Sequence, residues 1–216
     1  MTLDSYDVVI LDCDGVIFDS NILKVEAFKK ALSHYDADVI EAFSDYFKHN
    51  FGVSRYQLAR VFIEEFLHQD FEEELYQEIL KDYGDCCVLL YKESDFTNEF
   101  MRFLQYYKNK KFYIASGGDE IELNEVFKAK NIYQYFEEIL GSPRKKHDLV
   151  NEVVMKNLEK KIIMIGDAKS DLLASQTNNI DFIYMSQYSL VNDIMKELSQ
   201  KCGFKTINNL GDLIDE

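Results

Sequence analysis

Four short apolar runs constrain this chain more than any other feature. They are Val8-Val9-Ile10-Leu11, Phe112-Tyr113-Ile114-Ala115, Ile162-Ile163-Met164-Ile165 and Phe182-Ile183-Tyr184-Met185, with a weaker one at Ile139-Leu140. Runs rich in β-branched and aromatic residues, with no polar alternation, read as strands buried on both faces, and such strands belong to parallel sheets. Between them the spacing turns helical: Phe96, Phe100, Phe103, Leu104 and Tyr107 form one apolar stripe. Strands alternating with helices from about residue 95 onward predict an α/β fold built on a doubly wound parallel sheet.

The stretch between the first two runs is different. It carries helical periodicity and no convincing strand, with helices expected over about 21–34, 37–50, 55–68 and 72–82. Gly52 is placed to make a turn and Ser54 to cap the third of these helices. The expected organisation is therefore an α/β core over 1–17 and 93–216, interrupted by an inserted α-helical domain over 18–92.

Composition narrows the function. With 47% hydrophobic residues in 216, the chain can bury a substantial core, which excludes a disordered protein. The net charge of −15 argues against nucleic-acid and anionic-membrane partners. No apolar stretch approaches the roughly 20 residues that cross a bilayer, and no basic segment precedes a long apolar one near the N-terminus. Cys13, Cys86, Cys87 and Cys202 match neither a zinc site nor a disulfide framework. Reduced thiols and a cytoplasmic location are the expectation. The sequence sets no oligomeric state.

In open α/β sheets, ligands bind beyond the carboxyl ends of the strands. After the first run comes Asp12-Cys13-Asp14-Gly15, and after the second Ser116-Gly117-Gly118-Asp119. Beyond the weak run come Gly141-Ser142-Pro143, then Lys145 and Lys146; after the next comes Gly166-Asp167, with Asp171 four residues on. Each piece alone has a plain structural reading: a turn, a helix cap or a surface lysine. Four such pieces at four strand ends place acids, a hydroxyl and a lysine on one edge.

In this order the pieces resemble the motifs of the haloacid dehalogenase-like superfamily. The match comprises Asp12-Cys13-Asp14-Gly15-Val16-Ile17-Phe18-Asp19-Ser20, Ser116, Lys146 and Gly166-Asp167-Ala168-Lys169-Ser170-Asp171, and it spans nearly the whole chain. The resemblance implies that Asp12 is a covalent nucleophile, forming an aspartyl phosphate. Asp14 would protonate the leaving alkoxide and then deprotonate water. Ser116, the Gly117 amide and Lys146 would hold phosphoryl oxygens. Mg2+ would sit among Asp12, Asp167 and the Asp14 carbonyl, and Asp171 would support a metal water or Lys146. Lys145 is the alternative to Lys146, and the spacing seen in the family favours Lys146.

The second acid separates the reactions. Dehalogenases of the family lack an Asp at the Asp14 position, and phosphonate-cleaving members carry another residue there. Asp14 therefore implies phosphate-ester chemistry on a small phosphorylated metabolite, with a phosphosugar as one class. The helical insert looks like the family's small cap. Its Gly52-Val53-Ser54-Arg55 resembles the cap loop of phosphosugar mutases, where an arginine grips a second phosphate, so Arg55 is a substrate-binding candidate; the alternative is a surface arginine. Lys24, a further substrate-binding candidate, stands at the hinge position where those mutases carry histidine. A mutase remains an alternative, although Gly-Asp replaces the mutases' Glu-Asp. A catalytically idle binding or regulatory protein is a second.

Overall fold

The computed structural model describes residues 2–214. Each apolar run becomes a strand: β1 (Val8–Leu11), β2 (Lys111–Asp119), β3 (Glu138–Ser142), β4 (Ile162–Gly166) and β5 (Asp181–Met185), joined by a sixth, β6 (Lys205–Ile207). They form one parallel sheet in the order β3-β2-β1-β4-β5-β6. β1 pairs with β2 on one side and β4 on the other, with Leu11 opposite both Ile114 and Ile165. The strand order reverses across β1, so a crevice opens beyond its carboxyl end, where Asp12 follows.

Alternate residues of each strand enter two separate cores, as the two-residue period of a strand requires. Val8 and Ile10 of β1 pack with Tyr113, Met164 and Phe182. That core is closed by α7 (Lys146–Lys156), α8 (Lys169–Thr177) and α9 (Asn192–Cys202), through Leu149, Leu172 and Met195. Val9 and Leu11 face the other side, with Ile114, Ile163 and Ile165. There they meet α5 (Phe100–Tyr106) and α6 (Glu120–Ala129) through Phe103 and Phe127.

Between β1 and α5 lie four helices: α1 (Asn21–Ala31), α2 (Ala37–His49), α3 (Arg55–Val61), which continues into a π-helical turn at Phe62–Phe66, and α4 (Glu73–Glu93). Aromatic rings hold them together. Phe28 of α1 lies with its ring centroid 5.1 Å from Phe43 of α2 and 4.1 Å from Tyr83 of α4. The chain leaves the sheet at Phe18 and returns at Phe96; these two residues pair in an antiparallel bridge, and their rings stack at 5.5 Å.

Three details differ from the sequence expectation. α4 runs to Glu93 rather than ending near 82, carrying Gly84 within it despite the low helix propensity of glycine. Ser54 occupies the N-cap position of α3, but its side chain makes no capping hydrogen bond. β2 continues through Ser116-Gly117-Gly118 to Asp119, with a register irregularity against β3 after Ala115.

Candidate active site

Asp12, Asp167 and Asp171 are all buried, and one carboxylate oxygen from each lies within 4.8 Å of the others. β1 and β4 deliver the first two side by side, and the first turn of α8 delivers the third. Lys146, at the start of α7, is the cation that reaches them: its Nζ is 2.6 Å from Asp171 Oδ1 and 2.9 Å from Asp12 Oδ1. The contact with Asp171 is a hydrogen bond, whereas the one with Asp12 lacks hydrogen-bond alignment and is an ion pair only. Of the two adjacent lysines, Lys146 is buried in the cluster and Lys145 is exposed.

The electrostatics are unbalanced. Burial, and then the Asp171 charge, push the Asp12 carboxyl up to about 7, although Lys146 pulls the other way. Burial together with Asp12 and Asp171 pushes Asp167 well above the usual carboxylate range. Burial alone would lower the Lys146 ammonium, but Asp12 and Asp171 outweigh it and hold Lys146 firmly charged. Asp12 Oδ1 and Asp167 Oδ1 are buried without a hydrogen-bond partner. Three buried carboxylates gathered this closely around one lysine, with Asp167 Oδ1 lacking any hydrogen bond, suit a hard cation with oxygen ligands, so the donor set fits Mg2+. Asp12 and Asp167 would hold it. Both Asp171 oxygens are already engaged, Oδ1 by Lys146 and Oδ2 by the Ala168 amide at 3.0 Å, which makes Asp171 the orienting group for Lys146.

Asp14 lies apart from this cluster. Its carboxylate turns toward the helical segment, accepting from Ser20 Oγ at 2.5 Å and from Tyr91 Oη at 3.0 and 3.1 Å, with Lys24 Nζ 3.3 Å away. Ser116 is buried and its Oγ accepts from the Gly118 amide at 3.0 Å, which leaves its hydroxyl proton available for a phosphoryl oxygen.

The helical segment closes over this edge. A Cβ at Gly117 would stand 2.7 Å from the Gly52 carbonyl oxygen, so only glycine lets the two backbones approach this closely. Ser170 Oγ donates to the Phe51 carbonyl at 3.3 Å, and Tyr56 Oη to Asp119 at 2.8 Å. Between them remains a cavity of about 20 Å³, bordered by Asp12, Asp14, Lys24, Arg55, Tyr83 and Ser116 among others, with room for roughly one water.

Arg55 borders that cavity, so the surface-arginine alternative does not hold. It is 6% exposed, and its guanidinium makes a two-pronged pair with Glu122 of α6, with Nη1 2.9 Å from Oε1. Lys24 is buried against Asp14 and lies 4.5 Å from the centroid of the Tyr91 ring.

Sequence reasoning did not single out Ser20, Asn21, Tyr91 or Glu122. Asn21 donates to Asp167 Oδ2 and to the Tyr188 carbonyl. Ser20 closes the first motif and Asn21 directly follows it, which was a usable signal. Tyr91 on α4 and Glu122, one of three glutamates on α6, carried none.

The comparisons with known proteins agree with this construction. The family model for haloacid dehalogenase-like hydrolases matches residues 9–185. The chain belongs to the haloacid dehalogenase-like hydrolases, and the enzyme reading stands with that membership. No curated protein matches. Among solved structures, a predicted phosphatase from Clostridium acetobutylicum superposes with a TM-score of 0.75 at 19% identity, covering 96% of each chain. A hydrolase from Pseudomonas syringae gives 0.76 at 19% identity, over 96% of this chain and 95% of its own. A predicted phosphoglycolate phosphatase from Haemophilus somnus gives 0.75 at 13% identity, over 98% and 97%. At these identities the likeness speaks to the fold. Among the described residues, no helix is long and apolar enough to cross a membrane.

Proposed function

We propose that this chain is a magnesium-dependent phosphatase that takes a phosphoryl group from a small metabolite through an aspartyl-phosphate intermediate. The observation that carries the reading is the buried Asp12 carboxylate, set beside Asp167 and Lys146 at the end of β1, with a second acid two residues on. Asp12 attacks phosphorus, the bond to the leaving oxygen breaks, and that oxygen takes a proton from the Asp14 carboxyl. Water then attacks phosphorus, gives its proton to Asp14, and the bond to Asp12 breaks. Mg2+, when bound, supplies positive charge that offsets the repulsion between the Asp12 carboxylate and the phosphate. Ser116, the Gly117 amide and Lys146 hold the phosphoryl oxygens while charge redistributes. Asp171 and Asn21 hold Lys146 and Asp167 in place.

Residues 18–92 act as a cap on the core over 1–17 and 93–216. A cavity of about 20 Å³ cannot admit a phosphoryl group, so the loop carrying Gly52 has to lift for substrate to enter and settle again to exclude water. That favours a small metabolite, with sugar phosphates among the classes to test, over a protein or nucleic acid. Free cysteines accord with a cytoplasmic setting.

The mutase reading is disfavoured at Gly166. A Cβ there would lie 2.3 Å from the Asp171 Cβ, so the mutases' glutamate has no room unless Asp171 moves. Lys24, paired with Asp14, stands in for their histidine. The idle-protein reading is disfavoured because every motif acid is present and one oxygen each of Asp12 and Asp167 is buried without a hydrogen bond.

The test is hydrolysis of p-nitrophenyl phosphate, followed by a screen of phosphorylated metabolites. Activity is expected with magnesium, lost in EDTA and restored by added magnesium. Full turnover in chelator, with metal verified absent, refutes the reading.

A further inference from the structure

We propose that Tyr91 is a positioning residue that fixes the Asp14 carboxyl for proton transfer to the leaving group. The inference rests on the reading of Asp14 as the acid–base group. Its basis is geometric. The Tyr91 hydroxyl lies 3.0 Å from Asp14 Oδ1 and 3.1 Å from Oδ2, so its single proton is shared across both oxygens. A donor centred on a carboxylate in this way resists rotation of the group about its Cβ–Cγ bond. Ser20 grips Oδ1 alone, and Lys24 stands beside Oδ2 alone.

The origin of Tyr91 adds to its meaning. Ser20 and Lys24 sit at the start of the helical segment, six and ten residues after Asp14. Tyr91 comes from the last turn of α4, 77 residues away in sequence. It is 1% exposed, and its ring packs 5.6 Å from that of Phe18, where the chain leaves the sheet. The far end of the helical segment therefore reaches back to orient a side chain of the core. The acid is set only when α4 is seated, which ties proton delivery to the docked state of the helices.

A tyrosine-to-phenylalanine change at 91 removes the hydroxyl and keeps the ring. The informative readout is the ratio of two single-turnover rates on one protein sample, with magnesium present. p-Nitrophenyl phosphate departs as a stabilised anion and needs little help from an acid, whereas β-glycerophosphate departs as an alkoxide and needs a proton. Because the ratio is internal to one sample, a loss of folded protein cancels. Tyr91→Phe is expected to slow release of glycerol about tenfold, while release of p-nitrophenol stays within about twofold, as misorienting an acid worth 10²–10⁴ would do. Equal loss on both substrates, or no loss on either, overturns the proposal. Asp14→Asn is run alongside. If it is selective for the alkyl ester and Tyr91→Phe is not, only the role of Tyr91 falls. If Asp14→Asn slows both substrates equally, the acid assignment falls, and the Tyr91 proposal with it.

Discussion

Asp12 and Arg55 both border one small cavity, and both are buried; Asp12 clusters with Asp167 and Asp171, whereas Arg55 pairs with the half-buried Glu122. Around Asp12 three acids share one lysine, two oxygens have no hydrogen-bond partner, and burial has pushed carboxyl groups upward. Arg55 instead meets a carboxylate of matching geometry, and both of its terminal nitrogens are used. A well-paired buried charge is an element of structure. An uncompensated one is held there at a cost in stability, and such a cost points to a ligand that removes it. On the proposed function, the strained cluster is the part that reacts and the Arg55–Glu122 pair the part that ties α3 to α6.

The largest expected effect breaks the cluster around Asp12. Asp12→Asn should lower phosphatase activity by at least about 10³-fold, because an amide cannot form the acyl phosphate. The same change should raise the melting temperature of the metal-free protein, since it removes one of three crowded carboxylates. A lower melting temperature would show that the Asp12–Lys146 pair already balances the cluster.

A second test titrates the imbalance. Asp12 is raised from 3.8 to about 7 in the fold, so between those values the folded chain binds more protons than the unfolded one. Stability contributed by the protonated group is present below about pH 4 and is lost as pH rises through about 7. Asp167 shifts in the same direction. Metal-free protein should therefore lose stability across this window in thermal melts, and magnesium should restore it increasingly as pH rises. A flat pH profile without metal would undo the contrast.

The Arg55–Glu122 pair should answer with the opposite sign. Arg55→Ala leaves Glu122 partly buried and unpartnered, and should cost about 2–4 kcal/mol in stability whether or not magnesium is present. p-Nitrophenyl phosphate should be hydrolysed within about threefold of the parent rate by the fraction that remains folded. A loss confined to a screened metabolite bearing a second anion would instead make Arg55 a substrate contact that exchanges Glu122 for the ligand. The smallest effect is expected from Glu122→Gln, which keeps the shape and one acceptor but leaves the buried Arg55 charge uncompensated, and should cost about 2 kcal/mol.

The cluster around Asp12 was legible in the sequence because Asp12, Ser116 and Asp167 each follow a strongly apolar run. Asp12 ends β1, Ser116 extends β2 and Asp167 follows β4, and parallel register alone brings them together. Of the Arg55–Glu122 pair, Arg55 was legible and its partner was not. Glu122 and Tyr91 look like any solvated helix residue until α4 and α6 are packed, and nothing local fixes which helix faces which. The short β6 escaped for another reason: Lys205 and Thr206 are exposed, so only Ile207 signals burial. α4 runs past its expected end near 82, with Gly84, a poor helix former, carried inside it.

The antiparallel bridge between Phe18 and Phe96 has a consequence for the history of such a chain. The helical segment joins the sheet through a single doorway, with entrance and exit side by side. Helices beyond that doorway can be lengthened, shortened or replaced while β1 and β2 keep their register. Natural variation can therefore rework which molecules are admitted without rewriting the residues that break the bond.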